Sequence, residues 1–504
     1  MSLVFPDWSD LGGVSLAQRN TWEHEAVRRD RYRYYYEGEV FRETVPGESA
    51  SEDDEDPLLY PIGLNLVKML CVSQADSLFG EWEEDIIRFR ARQDVAETPA
   101  GEAAIELCST ILSANNAAVS FYEGALQREI YGGCFYKIGP DLGRPGHIRI
   151  SLGDLDNFYP IWNPEDPDDL LEAYIRVVMT REQAKALYAY TPQHDRPTVE
   201  RIEKWTRDVY ENHLDGMRIE AYSGLNPWRV VPIVYIPRLR AGSWWGDALT
   251  PDIIPVQDEI NMRVADMGEA INYNSHPVRW GKNLAGDFNQ KVFPLGPRAM
   301  WNLGRTIGNG PEPEVGMLQS ASPIPERALD FIKFVYDYGR TAASSPPIAF
   351  GEDQGGGQRS GRTLEIRMWP LMKATRKSRA YFASGVSRMM VIAAKILRQK
   401  KIEGISTHAL SRIIGGSIVP DFFPLMPKDQ AALVDEVNKL LNLDPPGISM
   451  QTAQALLGRG PVEVKRIKDM LEDPVLGPLF QNRSRIPASE DQETEKETAD
   501  GGAA

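Results

Sequence analysis

The sequence predicts an α+β protein in which helical and β-rich stretches are segregated along the chain. Three observations point there. Helical periodicity dominates residues 15–131 and returns from residue 250 on either side of one Gly/Pro-rich insert. Residues 130–238 switch to short alternating or β-branched runs separated by turn clusters. Charge is segregated too: the helix predicted at 250–273 is acidic and the run at 362–401 is basic, in a chain of net charge -16.

The elements follow in order. From Ser15 to Gly38, SLAQRNTWEHEAVRRDRYRYYYEG reads as a helix with Ser15 as its cap and Gly38 as its stop. Its tyrosines, Tyr32, Tyr34, Tyr35 and Tyr36, require burial against another element. Residues 43–57, ETVPGESASEDDEDP, read as an acidic, solvated, mobile loop. At 64–80, Leu66, Met69, Leu70, Ser73 and Ser77 share one helical face that Gly80 ends. One helix over 101–131 is predicted from Ile105, Leu112, Val119, Leu126 and Ile130. Then CFYKIG, HIRISLG, NFYPIW and LEAYIRVVMT read as strands of a meander. The helix REQAKALYAY interrupts, and strands resume at VERIEKWTRDVY, MRIEAYS and PWRVVPIVYIP.

The helix at 250–273 has the stripe Ile253, Ile260, Val264, Met267 and Ile271; Asp252, Asp258, Glu259, Asp266 and Glu269 cover other faces, opposed by Arg263. Residues 275–324 are a loop-rich insert with strand-like pieces PVRWGK, KVFPLG and AMWNLG. Helix resumes after Pro325, with Leu329, Ile332, Tyr336 and Gly339 on one face, until Pro346 and Pro347 stop it. The segment IAFGEDQGGGQRSG, 348–361, resists regular structure because Gly355, Gly356 and Gly357 lose the most backbone entropy on ordering. Residues 362–401 would form one helix of about 60 Å, kinked at Pro370. It carries eleven Lys and Arg against one acid, Glu365. Trp369, Leu371, Met372, Tyr381, Phe382, Met389, Met390 and Ile392 interrupt that charge. They argue for a helix packed on several sides rather than a fully solvated one. After the broken stretch HALSRIIGGSIVPDFFPLMP come helices KDQAALVDEVNKLLNL, SMQTAQALLG and PVEVKRIKDMLED; the tail, polar from about Gln481, is expected to be disordered.

At 504 residues the chain has room for several domains. No apolar run approaches the roughly 20 residues that cross a bilayer, and MSLVFPDWSD has no signal-peptide pattern. Cys71, Cys108 and Cys134 are far apart and read as reduced, buried thiols. The acidity argues against binding nucleic acid through a basic surface; it does not argue against a channel through which DNA slides. The six histidines include no pair at metal-ligand spacing. GEDQGGGQRSG lacks the lysine of a phosphate-binding loop, and no Rossmann glycine pattern or nucleophile elbow appears. No catalytic residue, metal or cofactor is assigned.

The order of parts resembles the portal proteins of tailed double-stranded DNA bacteriophages. YYYEG at 34–38 is similar to an early motif of that family. VVPIVYIPRLRAGSWWGDALTPDIIPVQDEINMRVADM, 230–267, resembles its strand, Gly-small-acid and helix run, with Pro232, Gly246, Asp247, Asp258, Glu259 and Asn261 at the matching positions. SSPPIAFGEDQGGGQRSGRTLE resembles its tunnel loop leading into a long helix. The resemblance spans about 15–475 and rests on order and spacing; the insert at 275–324 matches by position alone.

The resemblance implies an α/β wing in residues 1–249, a stem helix at 250–274, a small α/β clip at 275–324 and a second stem helix at 325–345. It implies a tunnel loop at 346–361, a long kinked wing helix with its return at 362–424, a helical crown at 425–475 and a tail at 476–504. It implies a structural subunit of a ring of about twelve at one capsid vertex, assembled in the host bacterial cytoplasm. Double-stranded viral DNA would pass through it. The terminase large subunit, a head-tail adaptor protein, the major capsid protein and scaffold would be its partners, with no membrane. Gln354, Gly355, Gly356, Gly357, Gln358 and Arg359 would face DNA, and some of Asp258, Glu259, Asp266 and Glu269 would line the channel. Arg367, Lys373, Arg376, Lys377 and Arg379 would meet a neighbouring subunit. Another virion connector or capsid protein would lack the helix-insert-helix and the glycine loop; a nucleic-acid enzyme would need a carboxylate constellation.

Overall fold

The computed structural model describes residues 15–39, 63–80, 86–92, 98–192 apart from 142 and 145, 196–275, 278–283, 312, 314–318, 326–352, 361–400, 402, 405–425, 434 and 437–440. Residues 1–425 make one compact unit and 426–504 a second; in the second, Val437 is buried within a helical turn at 437–440. The acidic stretch 43–57, residues 284–311 of the insert, the glycine triplet, most of 426–475 and the tail lie outside the described residues.

The chain opens with α1 (Leu16–Glu37), α2 (Leu66–Phe79), β1 (Arg88–Ala91), α3 (Pro99–Ser113) and α4 (Ala117–Tyr131). Next come β2 (Gly133–Pro140), β3 (Ile148–Leu152), β4 (Phe158–Asn163), β5 (Asp166–Thr180), α5 (Arg181–Tyr188), β6 (Thr198–Thr206), β7 (Val209–Leu214), β8 (Met217–Arg218), β9 (Gly224–Leu225) and β10 (Ile233–Pro237). The remainder is α6 (Thr250–Ser275), β11 (Val278–Lys282), β12 (Glu314–Leu318), α7 (Glu326–Ala342), α8 (Gly361–Lys400), α9 (Thr407–Ile414) and β13 (Ile418–Asp421). The fold is mixed helix and sheet, as the α+β reading expects.

Local chemistry sets the boundaries. Ser15 and Gln18 form a reciprocal capping box on α1, and Gly38 closes the helix at φ 74, a conformation that only glycine adopts freely. The helix expected over 101–131 is two helices. Asn116 takes a left-handed φ of 48 and starts α4 afresh. The helical face changes with it. Val119, expected inside, is exposed, whereas Phe121, Ala125 and Arg128 are buried.

The meander is real but shorter than expected. β4 to β8 run in sequence order in one antiparallel sheet, with β9 on β7. β10 leaves it to pair with β2, Tyr235 opposite Phe135, in a sheet ordered β10-β2-β3. β1 and β13 pair across more than 300 residues, Phe89 opposite Pro420; neither was expected. β11 and β12 close the insert as a hairpin, Val278 opposite Leu318; β11 coincides with PVRWGK, and β12 was not expected.

α8 passes through the main core. Phe382, Val386, Met389, Ala393 and Ile396 are fully buried there with Phe121, Tyr136, Ile138 and Ile236. By length and composition α8 could cross a membrane, but its apolar side chains from Phe382 to Leu397 fill the protein interior. Arg128 is also wholly buried, donating to the carbonyls of Pro237 (3.1 Å) and Ser378 (3.2 Å) and to the Ser378 hydroxyl (3.2 Å). It thereby joins α4, the end of β10 and α8.

Candidate functional site

α6 and α7 pack side by side as the two arms of a hairpin, and α2 anchors both. Ile253, Val256 and Ile260 of α6 are buried with Leu66, Val67 and Leu70 of α2. The sequence sets a polar residue in that stripe: Gln257, four residues after Ile253 and three before Ile260. It is fully buried. Its Oε1 accepts from the Leu66 amide at 2.7 Å, and its Nε2 donates to the Leu64 carbonyl at 2.6 Å and to Asn261 at 2.8 Å. A buried amide this well paired fixes α6 against the first turn of α2.

The other arm is fixed at its C-terminal end. A Cβ at Gly339 would lie 2.8 Å from Leu66 and 2.9 Å from Val256, so glycine lets α7 approach both neighbours. Gln74 of α2 donates to the Ala343 carbonyl (2.7 Å) and the Ser345 hydroxyl (2.9 Å). Arg340, only 3% exposed, divides its guanidinium between Asp337 (2.5 Å) and Glu352 (2.9 Å). The same group stacks over Tyr336 at 4.6 Å and Phe350 at 5.9 Å. Pro347–Phe350 form a single 3-10 turn that Gly351 ends. Arg340 therefore ties α7 to the residues that enter the glycine-rich segment. Gln354, Gly355, Gly356, Gly357, Gln358 and Arg359 themselves lie outside the described residues. Beside this entry a cavity of about 570 Å³ opens between α2, the 3-10 turn and α8, bordered by Met69, Asp76, Phe350 and Leu371.

The acids of α6 are less free than their number suggests. Asp258 accepts from the hydroxyl of Tyr35 on α1 at 3.1 Å. Burial chiefly, and then the Asp258 carboxylate, raise the Tyr35 pKa. Glu259 and Asp266 both bind Arg263, at 2.8 and 3.2 Å. Asp258 and Asp266 remain exposed; Glu269 lies one turn beyond Asp266. Among the described residues, no group of three or more His, Cys, Asp or Glu could hold a metal ion.

On α8, Lys373, Arg376 and Lys377 are exposed, and Lys373 and Arg376 lie 5.4 and 5.9 Å from the ring of the exposed Trp369. Arg367 is half-buried on the same segment. Arg379 instead turns inward. It donates to the Leu78 carbonyl at 2.6 Å and lies over Phe422, and burial lowers its pKa to about 10. Its charge is spent inside the subunit, so the expected inter-subunit set reduces to the other four.

The profile of the family described as phage portal protein, SPP1 Gp6-like, matches residues 18–473. The chain belongs to that family. No curated protein matches it. The portal family is structural rather than enzymatic. In this portal protein the pins of the hairpin were not identified from sequence, although a signal existed. Gln74 sits four residues after Leu70, and Gln257 interrupts the α6 stripe, so each is a polar residue at an apolar position. Arg340 carried no comparable signal, because its partner Glu352 lies beyond the proline pair that ends the helix.

Proposed function

We propose that the chain is one subunit of a ring-shaped channel at a single capsid vertex, through which viral DNA is packaged and ejected. The observation that carries this reading is the portal-family match over residues 18–473. In that ring the α6–α7 hairpin is the stem, the insert opened by β11 and closed by β12 is the clip, and residues 346–361 form the loop around DNA. Gln354, Gln358 and Arg359 approach phosphates, and the glycines let the loop follow the duplex. Exposed acids of α6, among Asp258, Glu259, Asp266 and Glu269, keep the wall from holding DNA, since like charge repels phosphate. Arg367, Lys373, Arg376 and Lys377 face a neighbouring subunit. The terminase large subunit and the head-tail adaptor dock on the ring, with the major capsid protein and scaffold around it, in the virion after assembly in the bacterial cytoplasm.

The direct test is electron microscopy of the purified protein, with rotational symmetry counted in end-on class averages. A ring of about twelve subunits with a central hole is expected. A stable monomer or dimer at high concentration, also in the presence of scaffold and capsid protein, would refute the reading. A second expected result concerns the loop. Deleting Gly355–Gly357 leaves ring assembly intact and lowers DNA packaging or retention, measured as nuclease-protected DNA per particle. Normal packaging by that variant would remove the loop from the mechanism.

A further inference from the structure

Phe89 of β1 is buried against the main core, so Arg88, Arg90 and Arg92 alternate with it onto the outer face, and all three are exposed. Residues two apart on a strand stand about 6.8 Å apart. The guanidinium groups therefore form a regular row, in a chain of net charge -16. Little neutralises them. Arg90 meets Asp421 at 3.8 Å with the two side chains 68% and 58% exposed, a weak pair in water. Arg88 lies 4.3 Å over the ring of Phe423. The Arg92 side chain has no partner among the described residues.

The same strand leaves a sheet edge open. Arg88 stands opposite Asp421, Phe89 opposite Pro420 and Arg90 opposite Val419, and the Arg92 amide donates to the Ser417 carbonyl at 2.9 Å. In an antiparallel pair, directly opposed residues exchange both bonds at every second position. Arg88, Arg90 and Arg92 therefore turn their backbone groups to β13, while the N–H and C=O of Phe89 and Ala91 point away from it. Among the described residues nothing bonds to those four groups. The far edge differs. Pro420 holds the outward position on β13 and has no N–H to offer. The ribbon is blunted there and open along β1.

We propose that the β1 edge receives an extended acidic segment of a partner protein as a third, antiparallel strand. Charge and periodicity together select that occupant. A strand added beside β1 sets every second side chain on the arginine face, about 5 Å from its cross-strand neighbour. Acids at alternate positions then fall beside Arg88, Arg90 and Arg92. The residues between them stand opposite Phe89 and Ala91 and make the main-chain bonds. Main-chain pairing supplies affinity, and the arginine row selects the sequence. A nucleic-acid backbone would meet the same arginines but leave the row of amides and carbonyls unpaired.

The test is surface plasmon resonance on the immobilised full-length protein, with peptides up to millimolar concentration. The probe is a heptapeptide alternating threonine with glutamate, three glutamates in all. Saturable binding is expected. The triple variant Arg88→Gln, Arg90→Gln, Arg92→Gln should weaken it about tenfold, as the loss of three cross-strand charge pairs implies. Changes to the peptide leave the protein's own folding out of the result. Methylating the threonine amides removes the donors to β1 and is expected to abolish binding. Methylating the glutamate amides, which point away from β1, leaves it intact. Gathering the glutamates into one consecutive run keeps the charge and weakens binding. Equal binding of all four peptides would reduce the site to charge attraction and overturn strand addition, as would no saturable binding of the probe. Tighter binding of a short DNA duplex, lost in the triple variant, would assign the arginines to phosphate instead. Loss of rings in the triple variant would assign the edge to a neighbouring subunit, and either result overturns the partner strand.

Discussion

Replacing Arg128 with methionine is expected to lower the folding stability of the subunit by about 3 kcal/mol, and replacing it with alanine by about 5. The opposing effects can be weighed. Burial lowers the Arg128 pKa, mainly by desolvation, so removing the charge recovers part of a real penalty. Against that, the Pro237 carbonyl loses its donor in a buried place and the part-buried Ser378 carbonyl and hydroxyl lose one as well, and a buried acceptor left unsatisfied costs about 1–3 kcal/mol. The cation also lies 5.2 Å from the Phe382 ring, a contact that methionine replaces only in part. No carboxylate binds Arg128 directly among the hydrogen bonds described, so no buried anion is left behind. The loss is therefore smaller than for a broken ion pair. Alanine adds an empty volume in a packed core. The measurement is the urea midpoint by far-UV circular dichroism at one fixed protein concentration, because ring assembly couples to stability. Methionine at or above the parent midpoint would show that the desolvation penalty outweighs the bonds. Ring symmetry among the molecules that remain folded should not change, since Arg128 itself is wholly buried.

The long elements were legible because their signals are local. The first part of the α6 stripe, the proline stop after α7 and the long basic helix at 361–400 each follow from spacing within one segment, whereas Ile271, expected at the end of the stripe, is exposed. The pairing of β1 with β13, and of β10 with β2, was not legible. Hydrogen bonds between residues far apart in sequence leave no periodicity in either strand. The split at Asn116 was missed for a related reason. Four apolar residues seven apart, with Ile130 one turn after the last, suggested one continuous face, and only the left-handed φ of 48 at Asn116 shows that the face is reset. At the candidate site, residue type alone could not separate charges that face solvent from those used internally. Arg379 and Lys377 are two residues apart on the same basic helix, yet one is bound to a carbonyl of α2 and the other is exposed. The acids of α6 divide likewise. Three that read alike as wall charges have specific partners, and the partners sit on α1 or one helical turn away.

Gly385→Val is expected to cost about 3 kcal/mol, and the reason concerns how α8 reaches the centre of the subunit. Gly385 lies where the helix crosses β10. A Cβ built there comes within 2.5 Å of Ile236 Cγ1 and 3.2 Å of its Cγ2. Ile236 is wholly buried among Phe382, Val386 and Ile138, so its side chain has no solvent to turn into. Helix propensity favours valine over glycine by a few tenths of a kcal/mol, far less than the 1–3 kcal/mol of forcing atoms into a packed core. Packing decides the sign. A compensating substitution isolates the cause. Ile236→Ala alone should cost about 3 kcal/mol by opening a cavity. With Gly385→Val present, the new methyls occupy that space, and the double variant should lose at least about 1.5 kcal/mol less than the sum of the singles. Strict additivity in the urea midpoints would mean that the two residues do not compete for one volume. It would also mean that the close crossing of α8 over β10 is not what requires glycine at 385.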